Sequence, residues 1–147
     1  MRAIRLHGFS QEFDTIQIEE GRRPVPKKGE VLVRMLYSPI NPSDHNYIRG
    51  DYRRALERLI WNRGSETLYF DPERTNPHPT PPYTLGGEGV GIVVETGSSL
   101  LARRLKGKRV ALAAGPPIGV WQDYVAVDAK RAIPVPDQLS DQEAAMT

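Results

Sequence analysis

The sequence predicts a single, mostly β domain, and three observations favour this fold class. The chain has 147 residues, which is the length of one domain. Its 13 glycines and 13 prolines interrupt it often, as is typical of short strands joined by turns. Apolar and polar residues alternate in several segments, so that successive side chains would lie on opposite faces of a strand. We therefore expect a barrel or sandwich of short strands rather than a helical bundle.

Seven segments carry strand patterns, and the first two form a predicted hairpin. The strands are predicted within residues 1–9, 15–20, 29–40, 90–95, 107–114, 119–127 and 130–136. Gly87, Gly89 and Gly91 resemble a dinucleotide-binding fingerprint, but the third spacing fails and a strand follows instead of a helix. We interpret these glycines as positions of close packing within a strand.

The segment INPSDHNYIRGDY, residues 40–52, follows the third strand. Pro42 predicts that the strand ends and a short helical turn begins, and Gly50 predicts the end of that turn. In YRRALERLIW, which follows, Leu56, Leu59 and Ile60 recur at helical spacing and predict a short amphipathic helix. Residues 64–84 contain five prolines without a clear period, which predicts an extended excursion over the surface.

Near the end of the sequence, Ser140 and Glu143 form a capping-box pattern, which predicts that a helix begins there. That helix reaches Thr147 after about seven residues, whereas isolated helices need roughly 12 to 15 to be even marginally stable. We therefore expect the sequence to be part of a longer chain.

Composition excludes several classes of protein. The net charge of +2 is too small for a general nucleic-acid binder, and the absence of cysteine excludes disulfides, a cysteine nucleophile and thiolate zinc sites. No apolar run is long enough to span a bilayer, so we expect a cytoplasmic protein with neither nucleic-acid nor membrane partners. Positive charge is concentrated locally, where an anionic partner would bind, in Arg49, Arg53, Arg54, Arg58 and Arg63.

Four segments in order carry a resemblance to a known family. They are PKKGEVLVRMLYSPINPSD, LGGEGVGIVVETG, LKGKRVALAA and GVWQDYVAVDAKRAIPVPDQLSDQEAAM. Together they resemble the N-terminal catalytic domain of the medium-chain dehydrogenase/reductase superfamily, which is similar to the GroES co-chaperonin barrel. The resemblance implies a mostly β, GroES-like, partly open barrel with a few short helices over residues 1–147. It also implies that residues 53–84 are a helix-plus-loop insertion and that a Rossmann cofactor domain follows Thr147.

The resemblance also bears on metal content. Zinc alcohol dehydrogenases of this superfamily have a cysteine where Asn41 stands and a histidine where Gly87 stands, so two catalytic zinc ligands are missing. His7, His45 and His78 have no partner at metal-ligand spacing, and we predict surface or turn roles for them and no metal site. Within the superfamily the chain looks most like the zinc-free quinone oxidoreductases and the enoyl thioester reductases of mitochondrial type.

The resemblance implies roles for individual residues. It places Tyr52 as the catalytic hydrogen-bond or proton donor to the substrate carbonyl, with Asn41 and Tyr47 as cofactor-binding residues beside the nicotinamide. A phenol is protonated at neutral pH and can serve as such a donor. The substrate's or cofactor's phosphates would be contacted by Arg49, Arg53 and Arg54. The alternative is that Asn41 caps the turn, the tyrosines fill the barrel rim and the arginines form a solvated face.

These observations lead to one functional hypothesis and one alternative. The domain is expected to form the substrate side of a zinc-independent, NADPH-dependent oxidoreductase that reduces a quinone, an enone or an enoyl thioester by hydride transfer. The 147 residues alone are not expected to be active, and a homodimer is an open expectation for the full-length protein. The alternative is a non-catalytic GroES-like binding or assembly module, since a fold does not establish chemistry.

Overall fold

A five-stranded antiparallel sheet forms the centre of the domain. The computed structural model describes residues 1–55, 59–71 and 78–145, with the backbone alone at Arg54 and Ala55. The sheet has the order β10-β8-β7-β3-β9. Its strands are β3 (Glu30–Tyr37), β7 (Glu88–Thr96), β8 (Arg109–Ala113), β9 (Tyr124–Asp128) and β10 (Ala132–Pro134). Mostly small aliphatic side chains form its core, including Val31, Val33, Val93, Val110 and Val125.

A second sheet joins the N-terminal hairpin to the middle of the chain. Strand β1 (Arg2–Leu6) pairs with β2 (Ile16–Glu20) on one side and with β6 (Tyr83–Thr84) on the other, all antiparallel. The backbone N–H of Ile4 donates to the carbonyl of Trp121 at 2.8 Å, which ties this sheet to the loop before β9. The predicted hairpin is confirmed, and the separate sheets agree with a partly open barrel.

The long central strands require glycine at Gly91. A Cβ at this position would lie 2.4 Å from the carbonyl oxygen of Arg34 on the paired strand β3. Any larger side chain would push the two backbones apart. The interpretation of this glycine as a position of close packing is therefore confirmed.

A short helix, α1 (Pro42–Arg49), follows β3 as predicted. Pro42 occupies its first turn, and Gly50 closes it in the left-handed conformation with φ 76°. Its apolar face packs through Ile48 into a second core with Leu6, Tyr83 and Leu85. Because these partners lie on or beside β1 and β6, the helix is held against the N-terminal sheet.

The predicted helix over 52–61 is wrong beyond its first turn. Helix α2 spans Tyr52–Ala55, but Leu59 and Ile60 lie in strand β4 (Leu59–Asn62), which pairs with β5 (Thr67–Phe70) as a separate hairpin. Leu56 and Arg58 lie outside the described residues. Backbone pairing with Thr67–Phe70, rich in aromatic and aliphatic residues, outweighs the local helical spacing.

The extended excursion predicted over 64–84 contains two strands that the sequence did not indicate, β5 and β6. Residues 72–77 of that segment are outside the described part of the chain. The β4–β5 hairpin leaves large apolar side chains in solvent, among them Leu59, Trp61, Leu68 and Phe70. By pairing register these four share one face of the hairpin, which is wholly apolar.

Two further α-helices and a 3-10 helix at Ala129–Arg131 lie in the second half of the described chain. The capping box at Ser140 is present: the Ser140 hydroxyl accepts from the Glu143 N–H, and helix α4 (Asp141–Ala144) begins there as predicted. Helix α3 (Leu100–Arg104), capped by Ser99, was not predicted. Within the described residues, no helix has the length and apolar character needed to cross a membrane.

Candidate functional site

The segment between β3 and α1 carries a network of polar side chains. The side-chain amide of Asn41 donates to Glu88 Oε1 at 2.7 Å, and the backbone N–H of Asn41 donates to Asp44 Oδ2 at 2.8 Å. The Ser38 hydroxyl donates to the backbone carbonyl of Glu88 at 2.6 Å. These bonds join the end of β3 and the start of α1 to the start of β7, so the local position of Asn41 is held from several directions.

Asp44 is the only polar residue that is fully buried among the described residues, with 1% of its surface exposed. Burial raises the pKa of its carboxyl above the ordinary value, and the nearby carboxyl of Glu88 raises it further. Hydrogen bonds from the backbone N–H groups of Asn41 and Gly87, and the charge of His45, act in the opposite direction. A carboxyl buried beside a second carboxyl is a feature of functional sites and of structural networks alike. Sequence analysis missed Asp44, although its position three residues after Asn41 is a capping signal.

Tyr47 and Tyr52 are in contact. Their ring centroids are 5.0 Å apart with an interplanar angle of 67°, an edge-to-face arrangement. Burial raises the pKa of the Tyr47 phenol, with further contributions from Tyr52 and Asp44. The hydroxyl of the buried Tyr83 donates to the backbone carbonyl of Tyr47 at 2.9 Å, which holds the backbone beneath the pair. Two of the predicted site residues are thus brought together.

The predicted phosphate-binding arginines lie beside aromatic rings. Both Arg49 and Arg53 are exposed; the guanidinium of Arg49 is 5.9 Å from the ring centroid of Phe13, and that of Arg53 is 5.5 Å from the ring centroid of Phe9. Their charges remain accessible to solvent. The side chain of Arg54 lies outside the described residues.

His78 was expected to have a surface or turn role, and it lies in an irregular stretch before β6, where its ring packs among aromatic side chains. Its ring centroid is 5.5 Å from those of Phe9 and Tyr47 and 6.5 Å from that of Tyr83. The residue is half-buried, and its Nδ1 lies 2.7 Å from the carbonyl oxygen of Pro79. No motif in the sequence indicated this packing, because two of the partners, Phe9 and Tyr47, lie far from His78 in the chain.

The two positions that would hold catalytic zinc do not suit it. The amide of Asn41 is engaged with Glu88, and Gly87 has no side chain; a Cβ there would meet Asp44 Oδ1 at 3.9 Å and nothing closer. Zinc prefers imidazole, thiolate and carboxylate ligands held in a tetrahedral set. Over the part of the chain that the structure describes, no group of three or more His, Asp or Glu residues converges in this way.

An apolar groove is lined in part by Ser38 and Ile40, which are close in the chain to Asn41. Its volume is about 450 Å³, and it is bounded by β1, β3 and residues 120–123. Ile40, which immediately precedes Asn41, lines it and is 71% exposed. The indole N–H of Trp121 donates to the carbonyl of Pro39 at 3.3 Å, which connects the groove wall to the same turn. Neither Tyr47 nor Tyr52 lines this groove.

The partly open barrel is the fold of a GroES-like domain, and comparison with known proteins identifies the same class of domain. The chain belongs to the alcohol dehydrogenase GroES-like domain family, whose model matches residues 27–137. The resemblance to the N-terminal domain of the medium-chain dehydrogenases and reductases is thereby confirmed.

Two of the similar proteins are reductases. Prostaglandin reductase-3 of Mus musculus is 34% identical over 113 residues, which is 77% of this chain and 23% of that protein. The mitochondrial enoyl-[acyl-carrier-protein] reductase of Mus musculus is 28% identical over 145 residues, 99% of this chain and 32% of the relative. The chain thus spans less than two fifths of these relatives.

A solved structure confirms the fold. The crystal structure of a candidate NADPH:quinone reductase from Bacillus thuringiensis superimposes with a TM-score of 0.73 at 36% identity, and covers 98% of this chain and 36% of that protein. The predicted mostly β, GroES-like architecture is therefore confirmed.

Proposed function

We propose that this domain is the substrate side of a zinc-independent, NADPH-dependent oxidoreductase that reduces a quinone, an enone or an enoyl thioester. The contact between Tyr47 and Tyr52 beside the Asn41–Glu88 network is the observation that carries the proposal. The names of the relatives, which include a prostaglandin reductase, enoyl reductases and a candidate quinone reductase, support the same reaction class.

Zinc independence is supported by the donors at the two ligand positions. An amide already bonded to a carboxylate and a glycine cannot form half of a tetrahedral zinc site. Polarisation of a substrate carbonyl would then fall to hydrogen-bond donors of the protein.

Tyr52 is the proposed donor. A tyrosine hydroxyl directed at a carbonyl oxygen stabilises the negative charge that develops there during reduction, and it can also deliver a proton. Tyr47, the pKa of whose phenol is raised by burial, forms the wall against which Tyr52 is held. Reduction of a quinone needs no dedicated acid from Tyr47 or Tyr52. We therefore expect quinone reduction to depend less on Tyr52 than reduction of an enoyl thioester does.

The nicotinamide of NADPH is proposed to lie against Asn41 and Tyr47. Gly87 has no side chain, so a ligand could approach its backbone, and the half-buried aromatic side chains of Tyr47 and Tyr52 offer apolar surface for a flat ring. NADPH, when bound, supplies the hydride. Asn41 and Tyr47 would contact it from this domain, while most of its binding energy would come from a Rossmann domain.

Arg49 and Arg53 are proposed to contact the phosphates of a coenzyme A or carrier-protein arm, or of NADPH. Both guanidinium groups are exposed and rest on aromatic rings, so they are already partly ordered before a phosphate arrives. Arg54 is proposed with them on its sequence position alone. We further propose that the full-length protein is cytoplasmic and that a homodimer is its assembly.

NADPH oxidation by the full-length protein tests the proposal, with crotonyl-CoA and a simple quinone assayed in parallel. Turnover of either substrate supports it. Turnover of the thioester alone makes Tyr52 and the arginines central, whereas turnover of the quinone alone makes them part of the cofactor wall. A folded, NADPH-binding protein that reduces neither would favour the non-catalytic binding module.

A further inference from the structure

His78 lies at the centre of an aromatic cluster that joins separate parts of the chain. Phe9 comes from the loop between β1 and β2, Tyr47 from α1 and Tyr83 from β6, and each ring is within 6.5 Å of His78, centroid to centroid. His78 itself belongs to residues 53–84, the stretch that the resemblance marks as an insertion. The cluster therefore anchors the end of that stretch to the wall of the proposed site.

The orientation of the imidazole follows from one hydrogen bond. Because the carbonyl oxygen of Pro79 can only accept, Nδ1 of His78 carries the proton in the bond of 2.7 Å between them. The other nitrogen, Nε2, is buried and has no hydrogen-bond partner among the described residues. The ring is thus fixed by one hydrogen bond to the backbone and by packing on aromatic rings. Its polar atoms make no other hydrogen bond within the described part of the chain.

Contacts continue from His78 to the proposed donor. The ring of His78 packs at a tilt of 38° on Tyr47, and Tyr47 meets Tyr52 edge-to-face at 5.0 Å. Tyr83, which also contacts His78, holds the Tyr47 backbone through its hydroxyl. Removing the imidazole would leave a space on one side of Tyr47, into which that ring could turn and release Tyr52.

We propose that His78 is a positioning residue that fixes the Tyr47–Tyr52 pair, so that the described end of this stretch, residues 78–84, takes part in shaping the proposed site. The expected effect on kcat rests on the proposed function. The packing of His78 on Tyr47, and of Tyr47 on Tyr52, does not depend on that function. The side chain acts through its planar ring, and no proton transfer by His78 is involved.

The test uses the full-length protein with fluorotyrosine incorporated and two variants, His78→Ala and His78→Phe. The ¹⁹F resonances of Tyr47 and Tyr52 are assigned by their loss in Tyr47→Phe and Tyr52→Phe. We expect both resonances to move in His78→Ala and to stay near their wild-type positions in His78→Phe. His7→Ala is the control, because His7 pairs with Glu19 on the β1–β2 hairpin and contacts neither tyrosine.

Kinetics provide the second readout. His78→Ala should lower kcat for the thioester about 10- to 100-fold, as expected for a misplaced catalytic group, while the KM for NADPH stays within about twofold. His78→Phe should restore most of kcat. In a Tyr52→Phe background, His78→Ala should lower kcat no further than about twofold, because the group that His78 positions is already gone.

The outcomes separate this inference from the proposed function. Shifted tyrosine resonances in His78→Ala, together with a Tyr52→Phe variant of unchanged turnover, would retain the positioning role and remove the donor role. Unmoved resonances, or losses of kcat that multiply in the double variant, would overturn the inference. If His78→Ala does not fold, His78→Leu replaces it, since leucine fills much of the space without a planar ring.

Discussion

The side-chain amide of Asn41 donates to the carboxylate of Glu88 at 2.7 Å, although 46 residues separate them in the chain. This bond ties the turn after β3 to the start of β7, and it occupies the group that stands where zinc enzymes of the superfamily have a cysteine. Gly87, which immediately precedes Glu88, has no side chain that could bind a metal.

The purified full-length protein should therefore contain no stoichiometric zinc. Elemental analysis after dialysis without chelator is expected to find well under one zinc per chain, because the amide and the glycine supply no ligand. One zinc per chain that is lost together with activity on chelation would show that other residues hold the metal.

Tyr52→Phe should lower kcat for an enoyl thioester about 100-fold, which is typical for removal of one donor to a developing oxyanion. KM should change little, because the ring and its contact with Tyr47 are retained. Tyr69→Phe is the matched control, since Tyr69 lies on the β4–β5 hairpin and is 47% exposed. Equal rates for wild type and Tyr52→Phe would remove the donor role.

The buried carboxyl of Asp44 should make stability depend on pH. Because burial raises its pKa above 3.8 in the folded state, the folded protein binds the proton more tightly than the unfolded chain. The resulting stabilisation is present below the unfolded-state pKa and is lost as pH rises through the folded-state pKa.

Urea unfolding from about pH 3 to about pH 7 measures this effect in wild type and in Asp44→Asn. The free energy of unfolding of the wild type relative to the variant should decline as pH rises through this window. A difference that grows with pH would mean that hydrogen bonds from Asn41 and Gly87 outweigh burial, and that the pKa of Asp44 is lowered.

Gly91→Ala should destabilise the domain by about 1–3 kcal/mol or more, because its Cβ would lie 2.4 Å from the carbonyl of Arg34. Gly29→Ala is the control, since a Cβ there meets nothing within 4 Å. Thermal unfolding of both variants checks the difference. Equal melting temperatures would show that β3 and β7 separate at little cost.

The hairpin β4–β5 should contribute little to the stability of the barrel. Trp61→Ser, at a side chain 55% exposed, is expected to change the free energy of unfolding by no more than about 0.5 kcal/mol. Leu85→Ala, at a fully buried side chain, should cost about 2–5 kcal/mol. A large loss in Trp61→Ser would indicate that the apolar face of the hairpin is covered in solution.

Local patterns determined most of the barrel. Alternation over 31–38, the proline at position 42, the glycine at position 50 and the capping box at Ser140 predicted elements that the structure contains, because each signal concerns the conformation of a few neighbouring residues. The resemblance of four segments in order similarly predicted the GroES-like architecture, which the family match confirms.

Tertiary structure alone decided the rest. Leu59 and Ile60 have helical spacing, yet they form a strand because Thr67–Phe70 pairs with them across a turn. Three features of the site depend on residues that are distant in the chain. They are the burial of Asp44, the bond from Asn41 to Glu88, and the packing of Tyr47 on His78. Such contacts depend on which surfaces the fold brings together, and no local pattern in the sequence encodes that proximity.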